Sequence, residues 1–160
     1  MIPQFEGLTN EEANLMVDAI PLITILIAGA DGNIDQEEKD WATKLTEIRS
    51  YAHPENLQDY YTHVGEKYQD RLESLINNLP DDVEVRGKLI SEKLSELNNI
   101  FPKLDENLAH RLYKSLTSFA DHVARASGGF LRFGAVSSAE SKFVKLSMIT
   151  PVEITPEEEA

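Results

Sequence analysis

Leu22-Ile23-Thr24-Ile25-Leu26-Ile27-Ala28-Gly29-Ala30-Asp31-Gly32-Asn33-Ile34-Asp35-Gln36-Glu37-Glu38 runs an apolar stretch straight into an acidic one, and the fold is read outward from that junction. Leu22 to Ala28 is apolar around most of a helical circumference, the pattern of a helix enclosed by others. Ala19 to Ala30, interrupted by Pro21 and Thr24, is too short for a bilayer, which needs roughly 20 apolar residues. The helix is expected to start at a Thr9 cap with Leu8 as staple and to be kinked or divided at Pro21. Gly29 and Gly32 release the chain into the acidic loop, and a second helix follows from Asp35 to about Arg49 with Trp41, Leu45 and Ile48 on its apolar side.

The rest of the chain keeps a helical period. A third helix begins near Pro54, carries Leu57, Tyr60, Tyr61, Val64, Tyr68, Leu72, Leu75 and Ile76, and closes before Pro80, with Gly65 as its weak point. A fourth, opened by Asp81, sets Val85, Leu89, Leu94, Leu97 and Ile100 on one face and stops before Pro102. A fifth, from about Asp105 to Ala126, uses Leu108, Leu112, Leu116, Phe119 and Val123. A sixth, short, follows Ser137 with Phe143, Leu146 and Ile149. The expected fold is all-α: a single-domain helical bundle over 1–150, in which helices one and two and helices five and six form two pseudo-symmetric hairpins. Residues 151–160, with two prolines and three terminal glutamates, are expected to be an acidic, disordered tail.

Composition narrows the function. The formal net charge is −13, from 15 basic and 28 acidic residues, so a basic footprint for nucleic acid is lacking. With no cysteine, thiolate metal sites and disulfides are excluded. Met1 to Glu6 has neither the basic start nor the apolar core of a signal peptide, and a cytoplasmic protein is expected.

The acidic junction recurs in a depleted form. Gly32, Ile34, Asp35, Glu38 and Trp41 pair at one offset with Gly134, Val136, Ser137, Glu140 and Phe143. Two such bends facing each other would gather carboxylates, and clustered carboxylates bind hard divalent cations, calcium taking six to eight oxygens. Helix capping is the rival reading, because Asp35-x-x-Glu38 and Ser137-x-x-Glu140 fit the capping box, as do Thr9-x-x-Glu12 and Asp81-x-x-Glu84. Capping leaves Asp31, Gly32 and the Glu37-Glu38 doublet unexplained. A true EF-hand is disfavoured, since its first two ligand positions fall on Ile27 and Gly29.

Phe119-Ala120-Asp121-His122-Val123-Ala124-Arg125-Ala126-Ser127-Gly128-Gly129-Phe130-Leu131-Arg132-Phe133-Gly134, followed by Val136-Ser137 and Glu140, resembles the second half of TerB-like proteins, associated with tellurite resistance. Ala30-Asp31-Gly32-x-Ile34-x-x-Glu37-Glu38 is similar to the acidic motif of that family's first half. The resemblance covers about a third of the chain, at both ends. It implies an all-helical bundle with internal pseudo-symmetry, a divalent cation such as calcium held by Asp31, Asp35, Glu37, Glu38 and Glu140, and a non-catalytic role in stress response or complex assembly. The sequence departs from the family where Ser127 and Ser141 stand in place of further acids.

The alternative is a metal-free interaction module, binding a protein partner through its acidic surface or through Phe130, Leu131 and Phe133 in the Gly-Gly-Phe-Leu loop. An enzyme is not indicated, because no nucleophile, base and acid come together in the sequence. His63, three before Glu66, and His122, beside Asp121, read as structural histidines. Tyr51, Tyr60, Tyr61 and Tyr68 read as a helix-packing face with hydroxyls reaching solvent.

Overall fold

The computed structural model describes residues 3–29, 40, 43–44, 55–132 and 145–153; over 55–56 and 126–132 it describes the backbone alone. Every element among the described residues is helix, turn or coil, as the periodicity requires.

Helix α1 (Asn10–Ala28) opens on a complete capping box. Thr9 Oγ1 accepts from the Glu12 amide at 3.1 Å, and Glu12 Oε1 accepts from the Thr9 amide at 2.9 Å, satisfying donors that a helix start otherwise leaves orphaned. From Ala19 to Ala28 no residue is exposed, so α1 is the central helix. Pro21 lies inside it without dividing it. Proline cannot donate to the carbonyl four residues back, and two side-chain hydroxyls bond the backbone close by. Tyr60 donates to Met16 O at 2.7 Å and Thr24 Oγ1 donates to Ile20 O at 3.0 Å.

Helix α2 (Glu55–Asn78) buries Leu57, Tyr60, Tyr61, Val64, Tyr68 and Leu72. It runs through Gly65, which faces open space. Helix α3 (Val83–Ser95) is capped by Asp82, whose Oδ1 accepts from the Val85 amide at 2.9 Å. Asp82, not the expected Asp81, opens this helix. Ile90 and Leu94 are buried, while Val85 and Leu89 are 50% and 36% exposed, so the expected Val85–Leu89 face is turned outward. The face that packs is set by Gly87, Ile90 and Leu94. A helical turn (Leu97–Ile100) and a 3-10 turn (Phe101–Lys103) then lead to α4 (Glu106–Arg132), started by Asp105 Oδ2 accepting from the Leu108 amide at 3.1 Å.

Side-chain bonds settle the direction of each helix. Tyr60 meets Met16 and Tyr68 meets Thr24, an equal advance along both chains, so α1 and α2 run in the same sense. Lys103 Nζ lies 2.6 Å from Glu12 Oε2, and Tyr61 bonds Ser115 while its neighbour Tyr60 bonds Met16. Helix α4 therefore starts beside the start of α1 and follows it upward. Arg86, near the start of α3, donates to Gly29 O at 2.7 Å, so α3 runs back against the other three.

Two expectations fail in the C-terminal third. Helix α4 does not end at Ala126. The backbone stays helical through Gly128, Gly129, Phe130 and Leu131 to Arg132, because extending an established helix adds a hydrogen bond per residue, whereas each glycine costs about 1 kcal/mol. The sixth helix does not reach Ile149. Lys145 to Thr150 is a turn and coil, with Leu146 at φ 48°. A left-handed leucine costs about 1–2 kcal/mol, offset by burial of Leu146 and Ile149 and by Asn98, which donates to Met148 O at 3.0 Å and accepts from the Thr150 amide at 2.7 Å.

Of the expected tail, residues 151–153 are described, and Pro151 and Glu153 are exposed. Val152 lies against the core, and its carbonyl accepts from His110 Nδ1 at 2.5 Å. At the offset of the internal sequence repeat, Thr43 and Lys44 are helical where Lys145 and Leu146 are not, so the backbone differs at that pair of positions.

Candidate functional site

The acids singled out as cation ligands, Asp31, Asp35, Glu37, Glu38 and Glu140, lie outside the described residues, as does Phe133. Phe130 and Leu131 lie on the last turns of α4, whose side chains are also outside them, and their backbone is helix rather than the expected loop. The frame around these motifs is described.

Helix α1 delivers the chain to the first acidic motif at Gly29, two residues before Asp31. Its final turn is closed by the Gly29 amide donating to Ile25 O at 2.9 Å, and the Gly29 carbonyl is held by the Arg86 guanidinium. A guanidinium is the favoured partner there, since the carbonyl end of a helix carries partial negative charge. Gly29 lies as many residues beyond Met16 as Gly128 lies beyond Ser115. With α1 and α4 parallel and in register at Met16 and Ser115, Gly29 and Gly128 stand at one end of the bundle. Helix α4 continues four residues further.

Among the described residues, no group of three His, Asp or Glu side chains is placed to hold a metal. His63 Nδ1 and Glu66 Oε2 approach only to 3.9 Å. His122 Nδ1 donates to Ser118 O at 2.8 Å, an i to i−4 bond on its own helix. His122 is exposed and His63 half-buried.

Three tyrosines depart from the expectation of hydroxyls reaching solvent. Tyr60, Tyr61 and Tyr68 are fully enclosed, and their hydroxyls reach protein partners rather than water. Tyr60 and Tyr61 meet edge to face with centroids 5.0 Å apart. Burial pushes the phenols of Tyr60 and Tyr68 well above their ordinary value, with the Thr24 hydrogen bond opposing the shift at Tyr68. They fasten α2 to α1 and α4. Tyr51 is outside the described residues.

Two concave features among the described residues bear on function. One is a groove of about 490 Å³ between the turn at Phe101, the start of α4 and the strap Thr150 to Glu153. The other, about 270 Å³, lies between α1 and α2. Its wall includes the pair Asp18–Arg71, in which Nε and Nη2 meet the two carboxylate oxygens at 2.9 and 2.7 Å. The hydrogen bond from Asp18 holds the guanidinium above its ordinary pKa. Glu12 is held below the usual carboxylate range, chiefly by its hydrogen bond to Lys103. Sequence reading missed Asp18–Arg71, Asn98, His110 and Arg86. Each joins residues more than 40 positions apart, and no local pattern signals such a pairing.

No helix among the described residues is long and apolar enough to cross a membrane. Comparison of the chain with protein-family models, with curated proteins and with solved structures finds no match.

Proposed function

We propose that this chain is a TerB-like, non-catalytic protein of stress response and tellurite resistance that binds a divalent cation, calcium, through the acids of its two interhelical motifs. The reading is supported most by the exit of α1. The least exposed helix of the bundle ends at a glycine whose carbonyl is fixed by Arg86, two residues before Asp31, at the end of the molecule where α4 carries Gly128. A rigid exit limits the entropy lost when the following carboxylates gather around an ion. Asp31, Asp35, Glu37 and Glu38 supply the first motif and Glu140 the second.

Melting curves in calcium and in chelator test this. An ion present at a hundredfold excess over its Kd stabilises the folded state by about 2.7 kcal/mol, roughly 5–10 °C for a domain of this size. Asp31→Asn with Glu38→Gln is expected to abolish that shift while leaving the melting temperature in chelator unchanged. Equal melting temperatures for the wild-type chain in millimolar calcium and in chelator refute the cation. That result would leave the metal-free interaction module through Phe130, Leu131 and Phe133.

A further inference from the structure

The notch between α1 and α2 carries an inference independent of the cation reading. Its lining is Asn14, Val17 and Asp18 from α1 and His63, Lys67 and Arg71 from α2. We propose that this notch binds a small oxyanion of the phosphate class, either the free ion or the terminal group of a short phosphomonoester.

Spacing comes first. His63, Lys67 and Arg71 succeed one another at intervals of four, which stacks them along one face of α2. Lys67 and Arg71 thus set two positive charges one turn apart on that face, and Asp18 pairs with Arg71, so Lys67 is the charge that pair does not offset.

Donor capacity comes second. A guanidinium has five N–H donors. Asp18 takes one from Nε and one from Nη2, leaving the end-on edge of Nη1 and Nη2, the fork that grips an oxyanion through two parallel bonds. Lys67 adds an ammonium that is exposed at the rim, and Asn14 an amide. Asp18 is the acid among the lining residues, and both of its oxygens are already engaged by Arg71. The notch therefore presents unspent donors and a carboxylate whose acceptors are occupied, which favours an anion over a cation. Glu66 and Asp70, exposed on the same helix, lower the local potential and set the affinity in the millimolar range rather than tighter.

Size comes third. At about 270 Å³ the notch falls below the roughly 300–1,000 Å³ of pockets that enclose drug-sized ligands. A four-oxygen ion or a short ester fits it and a nucleotide does not.

The test uses the full chain in chelator, so that the cation reading plays no part, with pH fixed and ionic strength held constant by chloride. Inorganic phosphate is titrated while the histidine ring signals are followed by NMR. The expected result is a saturable shift of the His63 signals with a midpoint in the low millimolar range, and no saturable shift at His110 or His122. In Lys67→Gln, a change at an exposed site, the midpoint rises about tenfold, the loss of one charge-assisted hydrogen bond. A parallel titration with glycerol phosphate separates the sources: a lower midpoint identifies the ester, an equal one the free ion. A His63 response that is linear in phosphate, equal in chloride, or unaltered by Lys67→Gln overturns the proposal.

Discussion

Replacing Thr24 by valine and Tyr68 by phenylalanine, singly and together, probes the buried hydroxyl chain that joins α2 to α1 beside Pro21. Thr24 Oγ1 donates its one proton to Ile20 O at 3.0 Å, so in the 2.9 Å bond between the two hydroxyls Tyr68 is the donor and Thr24 the acceptor. That direction makes the two single changes unequal. Tyr68→Phe leaves Thr24 donating to Ile20 O and removes only the bond it accepts, a loss of about 0.5–1 kcal/mol. Thr24→Val keeps shape and helix propensity but strands the Tyr68 hydroxyl, which is 1% exposed as a residue. A buried donor without a partner costs about 1–3 kcal/mol. In the double variant both polar groups are gone and nothing is stranded, so its cost returns to about 1 kcal/mol, well below the sum of the singles. Urea unfolding followed by far-UV circular dichroism resolves such differences, and each kcal/mol corresponds to roughly 2–4 °C in melting temperature at this chain length. If Tyr68→Phe costs as much as Thr24→Val, or the two effects add, the donor direction is wrong.

The orientation of α3 gives a paired prediction. Leu89→Lys, on the exposed face, should change stability by less than about 0.5 kcal/mol, whereas Ile90→Ala, at a fully buried neighbour, should cost about 2–4 kcal/mol; equal costs in urea unfolding would restore the face expected from sequence. The buried phenols set the alkaline limit. Their folded pKa values are raised, so the stability they contribute is complete below the unfolded phenol value of about 10 and is lost as pH climbs from there toward the folded values. Stability measured against pH should therefore begin to fall near pH 10, and Tyr60→Phe should make that fall shallower even if it lowers stability at neutral pH.

The helices were legible because amphipathic periodicity is local. Thr9 and Glu12 sit three apart and cap each other, Asp105 begins α4 as expected, and the apolar stretch before Gly29 is the buried helix its composition implies. Where two local signals compete, sequence reading slips. Val85 and Leu89 look as good a face as Ile90 and Leu94, and only the packing of α3 on α1 chooses between them. Gly128-Gly129 reads as a loop until a long preceding helix is there to propagate through it. At Leu146 the deciding partner is Asn98, whose amide takes over the backbone bonds that a helix would have supplied to Met148 and Thr150.

The same distinction separates fold from function. The cation site proposed at Asp31, Asp35, Glu37, Glu38 and Glu140 can be put forward from sequence because those acids are bunched within short motifs. The notch between α1 and α2 does not, because Asp18 and Arg71 stand 53 residues apart and become one feature only when Tyr60 and Tyr68 align the two helices. Weakening that alignment therefore separates the two sites experimentally. Loss of the Tyr68–Thr24 bond should loosen the phosphate response of the notch, through the crossing of α1 and α2. If the cation proposal holds, its calcium response should be spared, because the proposed site follows the exit of α1 at Gly29, which Arg86 of α3 holds.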